Sequence, residues 1–251
     1  MTDIILSGCA GKMGAAILSC VAGREDCRVC VGVDLTDPKV VELPCVRSFA
    51  DLPEGGDVII DFSHPSVLKG LLETALARSL PCVLCTTGYS EEQKDMIKKA
   101  SQSIPVFWSG NMSLGVNLII DLAKRAAAVF GSDFDIEIVE QHHNQKLDAP
   151  SGTALMIADA ISEVRTDAEY VYDRHAVRRK RGKQEIGIHS IRGGNIVGEH
   201  EVIFAGTDEV LTISHSARSK AVFAVGAVNA AVFLKGKQPG LYAMSDLLHE
   251  I

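Results

Sequence analysis

Apolar runs long enough to cross a bilayer are missing from this chain of 251 residues. The longest, Ala221 to Leu234, is interrupted by Asn229 and falls short of the ~20 residues a membrane helix needs. A basic excess is missing too: 32 acidic side chains outnumber 25 basic ones, for a net charge of −7. Phosphate backbones call for a basic surface, so nucleic acid is not expected as a partner. The one basic run, Arg178-Arg179-Lys180-Arg181 followed by Lys183, reads as a solvated loop. No secretory leader is visible, because Met1-Thr2-Asp3 leads straight into a short strand. A cytoplasmic location without membrane attachment is therefore expected. Internal repeats and low-complexity segments are also lacking.

Cysteine is absent beyond residue 85, although seven lie up to that point. Cys27-x-x-Cys30 and Cys82-x-x-Cys85 imitate a four-cysteine zinc signature. Both pairs overlap expected strands, where residues i and i+3 point to opposite faces and cannot converge on one ion. No metal site is expected. The cysteines read as small apolar residues in a reducing compartment.

What is present is an apolar fraction of 47%, ample for a core, and a regular alternation over the first 110 residues. Strands are expected at 4–7, 28–33, 58–62, 82–85 and 105–108, with helices at 13–22, 66–78 and 90–101. Such alternation implies parallel strands in an α/β fold, a Rossmann-type doubly wound sheet. After Met112 the rhythm changes. A helix at 113–130, a strand at 136–141, a helix from Pro150-Ser151 to 164 and strands at 186–191, 196–205 and 209–215 describe an α+β mixed-sheet domain. A last helix, 218–234, returns an apolar face.

The run Gly8-Cys9-Ala10-Gly11-Lys12-Met13-Gly14 sits between the first strand and the first helix. Strand, glycine turn and helix in that order make a phosphate cradle. Gly8 permits the tight turn, Gly11 lets the backbone approach a pyrophosphate, and Gly14 lets helix and strand pack closely. Asp34 ends the second strand, 20 residues beyond Gly14, where an acid accepts the hydroxyls of an adenosine ribose.

The segment Glu140 to Leu155, EQHHNQKLDAPSGTAL, concentrates chemistry. His142 exchanges protons near neutrality, Lys146 is a flexible cation, and Ser151-Gly152-Thr153 opens a helix whose first N–H groups and dipole favour an anion. Together these read as a pocket for a small acidic molecule beside an acid/base group. Consecutive strand residues face opposite sides, so the chain must leave extended geometry near His142 for His143 to serve the same pocket. His189, His200 and His215 read as hydrogen-bonded structural residues. Arg192-Gly193-Gly194 marks a turn, with Arg192 either solvated or at a subunit contact.

These motifs, with DFSHP at 61–65, CTTG at 85–88, SGNMSLGVN at 109–117, IHSIRGGNIVGEHEV at 188–202 and SHSARSKAVFAVGA at 214–227, resemble the 4-hydroxy-tetrahydrodipicolinate reductase family. The resemblance runs along essentially the whole chain. It implies an NAD(P)H-dependent oxidoreductase of lysine and diaminopimelate synthesis acting on a small dicarboxylate. It implies a dinucleotide-binding domain from 1–113 plus 218–251, an inserted substrate-binding and oligomerisation domain from 114–217, and a homotetramer. Carried over by position, Gly8 to Met13 hold the pyrophosphate and Asp34 the ribose. Cys85, Thr86, Thr87, Ser109, Gly110, Asn111 and Met112 line the nicotinamide side. His142 is the proton donor/acceptor, Lys146 a proton donor, and His143, Gly152 and Thr153 bind substrate.

Three positions depart from the family pattern. Cys85 stands where Gly is common and Gly110 where Pro is common. Leu35 follows Asp34, where some members place a base for the 2′-phosphate. NADH is therefore expected to serve at least as well as NADPH, with Lys12 and Lys39 as nearby cations and dual use as the outcome. Two other functions share parts of this pattern: another NAD(P)-dependent imine or amino-acid dehydrogenase, and a non-catalytic NAD(H)-binding sensor. A sensor would lack a proton donor beside an anion pocket.

Overall fold

The computed structural model describes residues 1–36, 42–176 and 178–250. It divides into two compact units, Met1–Leu114 with Lys220–Ile251, and Gly115–Ser219. The chain begins β1 (Thr2–Ser7), α1 (Lys12–Val21), β2 (Cys27–Val33), β3 (Cys45–Val46), β4 (Val58–Asp61), α2 (Leu68–Arg78), β5 (Cys82–Leu84), α3 (Glu91–Ala100) and β6 (Pro105–Trp108). It continues α4 (Leu114–Phe130), β7 (Asp135–His142), α5 (Gly152–Ser162), β8 (Glu169–Val171), β9 (Glu185–Arg192), β10 (Gly198–Ala205) and β11 (Val210–Ala217). It closes with α6 (Ala221–Leu234), β12 (Gly240–Tyr242) and α7 (Met244–Glu250).

In the first unit seven parallel strands lie in the order β12-β6-β5-β4-β1-β2-β3. The chain winds outward from β1 to β3, then crosses to β4 on the other side of β1. The carboxyl ends of β1 and β4 therefore flank a switch point, where open sheets of this kind bind ligands. Successive strand residues alternate between two cores. Ile4 and Leu6 pack with α1 and α6, while Ile5 packs with α2 and α3. The same alternation separates the cysteine pairs: Cys27 and Cys85 lie in the first core, Cys30 and Cys82 in the second. Helix α3 carries a capping box, with Ser90 accepting from Gln93 N and Gln93 reaching back to Ser90 N. Helix α6, apolar but for Asn229, buries one side in the first core, and Gly226 is required where it crosses the Met112 carbonyl. A Cβ there would lie 1.7 Å from that oxygen.

The second unit is a five-stranded mixed sheet, β11-β10-β7-β9-β8. Its inner face, with Ile136, Ile138, Ile186, Ile188, Val202 and Phe204, packs on α4 and α5. The strict alternation of buried and half-buried residues along β7 and β10 is what a sheet covered on one side demands.

Several expectations need correction. Helix α6 starts at Ala221 rather than 218, and β10 at Gly198 rather than 196. Strands β3, β8 and β12 have two or three residues each, too few to show a period. The basic run is not a solvated loop throughout. Arg181 donates to Asp135 and Glu137 at 2.9 Å and to the Ile136 carbonyl at 2.8 Å. Arg179 reaches buried Glu185 at 3.0 Å.

Candidate active site

The glycine turn is built as a cradle. Gly8 has φ +79°, and a Cβ on it would lie 2.5 Å from the Phe62 carbonyl beyond β4. A Cβ on Gly14 would lie 2.4 Å from the carbonyl oxygens of both Gly8 and Cys9. Gly14 thus lets the helix press on the loop itself, rather than on the strand as expected. Gly11 is open by comparison, 3.3 Å from the Gly8 carbonyl. These features fit a pyrophosphate, which needs close backbone approach and the α1 N-terminus. Cys9 turns its side chain into the core, so it can offer a ligand only backbone; Lys12 is exposed. Alanine at Gly14 is expected to cost about 1–3 kcal/mol through overpacking and to weaken NADH binding. Alanine at Gly11 should weaken NADH binding at nearly unchanged Tm. Thermal melts and NADH titrations of the two variants check this pair.

Asp34 is already engaged. Its Oδ2 accepts from Ala10 N at 3.1 Å and its Oδ1 from Thr36 N at 3.2 Å. Thr36 Oγ1 adds a third bond, 3.4 Å to Oδ1. A carboxylate has about four acceptor sites, so these bonds aim the group and leave capacity for a ribose hydroxyl. Lys39 lies outside the described residues.

Beyond β5 and β6, Thr87 and Gly110 are exposed, whereas Cys85 and Met112 are buried. Burial pushes the Cys85 thiol well above its usual range. Ser109 Oγ donates to the Asn111 carbonyl at 2.9 Å, and Asn111 Oδ1 accepts from Ser113 N at 2.9 Å, which fixes that turn. Thr86 donates to Asp61 at 2.6 Å, and Ser63 donates to it at 2.5 Å. Asp61, only 1% exposed, ties the turn after β4 to the turn after β5. Sequence reasoning quoted its motif without seeing this role.

In the second unit β7 ends at His142, and the chain leaves extended geometry there as required. Gly193 N donates to the His142 carbonyl at 2.9 Å, and Lys146 N to the His143 carbonyl at 3.2 Å. Glu140 and His142 share the buried face of β7, two residues apart, so the Glu140 carboxylate meets His142 Nδ1 at 2.6 Å. Glu140 is completely buried. Burial opposes its charge, but the Arg192 guanidinium and hydrogen bonds from Ser190 and His142 hold its carboxyl down at about 2. Arg192 makes a two-pronged contact with it, at 2.7 and 2.9 Å. Ser151 N donates to the same carboxylate at 3.1 Å. Because Glu140 is ionised, Nδ1 of His142 carries the proton and Nε2 is left to exchange one. Burial lowers the His142 pKa, with Glu140 pulling it partly back.

Arg192 is therefore not a solvated turn residue: its guanidinium is turned back onto Glu140. His200 is a buried, hydrogen-bonded residue, as expected. Its ring lies 5.3 Å from that of His142, and its Nε2 is 3.1 Å from Ser151 Oγ. Burial, then the neighbouring His142, drive its pKa down to about 4, so it stays neutral. Lys146 is part-buried and pairs with Asp148 at 2.9 Å. Ser151 caps α5 by accepting from Ala154 N at 3.2 Å. Open space lies over Gly152, the first residue of that helix. His143 Nδ1 is buried and has no hydrogen-bond partner among the described residues.

Residues 2–112 match the family model described as dihydrodipicolinate reductase, N-terminus, and residues 115–248 match its C-terminus. The chain belongs to the dihydrodipicolinate reductase family. As a member it is an NAD(P)H-dependent reductase of lysine and diaminopimelate biosynthesis. The 4-hydroxy-tetrahydrodipicolinate reductase of Caldanaerobacter subterraneus subsp. tengcongensis is 50% identical, over 99% of this chain and 98% of its own length. That of Clostridium novyi is 46% identical over the same shares. A dipicolinate-bound dihydrodipicolinate reductase from Paenisporosarcina sp. TG-14 superposes with a TM-score of 0.80 at 26% identity, covering 97% of each chain. An aspartate dehydrogenase from Thermotoga maritima, 11% identical with a TM-score of 0.52 over 95% of this chain and 98% of its own, shares the fold alone. Among the described residues no helix is long and apolar enough to cross a membrane, and no group of three metal-ligating side chains converges.

Proposed function

We propose that this chain reduces 4-hydroxy-tetrahydrodipicolinate to tetrahydrodipicolinate with His142 and Lys146 as its proton-handling groups. The observation that carries the reading is the buried Glu140 carboxylate bonded to His142 Nδ1, beside Lys146 and the open N-terminus of α5. NADH or NADPH supplies the hydride when bound, on a cradle formed by Gly8, Cys9, Ala10, Gly11, Lys12 and Met13, with Asp34 toward the ribose. Cys85, Thr86, Thr87, Ser109, Gly110, Asn111 and Met112 serve the nicotinamide end.

The substrate is a dianion that loses a hydroxyl as water and gains a hydride. A proton must reach the leaving hydroxyl, and another group must meet charge at the ring nitrogen. His142 Nε2 and the Lys146 ammonium have the chemistry for both tasks. Gly152 and Thr153 offer one carboxylate the helix dipole, and His143 offers a ring nitrogen to the substrate. Arg192 cannot clamp a carboxylate, because its guanidinium is spent on Glu140 and the Asp148 carbonyl. Its task is to keep Glu140 ionised.

A homotetramer assembled through the second unit, in the cytoplasm, completes the proposal. Its support is the apolar exposure of edge strand β11, where Val210 and Leu211 remain accessible. The deciding assay is oxidation of NADH and NADPH with enzymatically generated substrate. Turnover with the cyclic imine and none with open-chain amino acids is expected. Preference for an open-chain amino acid would sink the proposal.

A further inference from the structure

We infer that Arg47 receives the 2′-phosphate of NADPH, so that one site accepts both cofactors. This rests on the reading that the dinucleotide lies on the glycine cradle with its ribose toward Asp34. Strands β2 and β3 are parallel and pair Gly32 with Cys45 and Val33 with Val46. Asp34 N continues the ladder to the Val46 carbonyl at 3.0 Å. The next residues, Asp34 and Arg47, thus leave the sheet side by side at its carboxyl edge. Arg47 Nη1 lies 3.4 Å from the Asp34 carbonyl, on the backbone rather than the carboxylate. The Asp34 carboxylate instead faces Ala10 and Thr36. Acid and guanidinium are therefore presented to different directions of one neighbourhood.

Beside Arg47 a cavity of about 360 Å³ opens, lined also by Val33, Ser48, Ser66, Thr74 and one acid, Glu73, so that Arg47 is the cation of its lining. That volume is within the range of small-molecule sites, ~300–1,000 Å³. A free ribose hydroxyl is met by Asp34 as an acceptor. A phosphate in the same place would be repelled by that carboxylate unless a cation stood next to it, and Arg47 is that cation. Leu35, 82% exposed, supplies none. A guanidinium suits phosphate because its planar donors engage two oxygens together.

The test uses the full-length enzyme and titration calorimetry with NADH, NADPH, 5′-AMP and adenosine 2′,5′-bisphosphate. Wild type, Arg47→Gln, Arg47→Lys and Lys12→Gln are compared. Arg47 is exposed, so the variants should fold, which thermal melts verify. In Arg47→Gln the ratio of the NADPH to the NADH Kd is expected to rise by about 10- to 100-fold, matching loss of charge-assisted bonds. The bisphosphate should lose affinity relative to 5′-AMP by a similar factor, and Arg47→Lys should recover part of it. An unchanged ratio in Arg47→Gln overturns the inference, as does a ratio that moves only in Lys12→Gln. If wild type bound neither dinucleotide, the underlying reading of the cradle would fall, and this inference with it.

Discussion

Replacing His142 with Gln is expected to lower kcat by about 10² to 10⁴, the range for a lost general acid–base group. The KM for NADH should barely move, because the cradle and Asp34 lie in the other unit. The pH profile adds a test with a definite sign. If His142 gives its proton as imidazolium, the rate falls as pH rises through its folded pKa. Burial lowers that pKa, so the midpoint lies on the acid side of the usual histidine value. Glu140→Gln removes the anion that pulls the pKa back up, and the limb should move further toward acid. Steady-state kcat between pH 5 and 9 for wild type and both variants checks the set. A fully active His142→Gln enzyme would remove the assignment. A profile flat through neutrality would pass the proton to Lys146.

The companion result concerns Lys146, where two substitutions are expected to agree. Arginine keeps the charge but does not release a proton readily. If Lys146 is a donor, Lys146→Arg and Lys146→Ala should each lose about 10² or more in kcat. If the side chain only attracts the dianion, arginine should restore most of kcat while alanine raises KM. The pairing with Asp148 sharpens the comparison, since Asp148→Asn frees the ammonium without removing it. That variant should keep most of its kcat under either role. A collapse on Asp148→Asn equal to that of Lys146→Ala would mean the pair acts only as a strut.

Much of the site was legible because its parts are local. The glycine run lies between a strand and a helix over seven residues, and each of its glycines occupies a position where a side chain is restricted or unwelcome. The segment around His142 was legible for the same reason: strand end, turn and capped helix follow one another directly. Arg192 was not. It stands 52 residues from Glu140, and its turn-like sequence gave no hint that its guanidinium points back at a buried carboxylate. Arg47 was missed because β3 is only two residues long, and no period marks a strand of that length. His200 was read as a hydrogen-bonded structural residue, which it is, but a lone histidine in an alternating strand does not say that its partner is Ser151.

Sequence alone settled the alternation of strands and helices, the glycine turn and the capped helix beside two histidines, because backbone sterics and short-range hydrogen bonds decide these within a few residues. Which charges meet was left to the packed chain. Strand register brings Arg192 to the Glu140 carboxylate and sets Arg47 beside the Asp34 backbone, and both placements depend on which strands become neighbours. The protonation of His142 belongs to the same class. An exposed histidine would titrate near 6.5, and only burial against an ionised Glu140 determines which nitrogen holds the proton and which is free to exchange it.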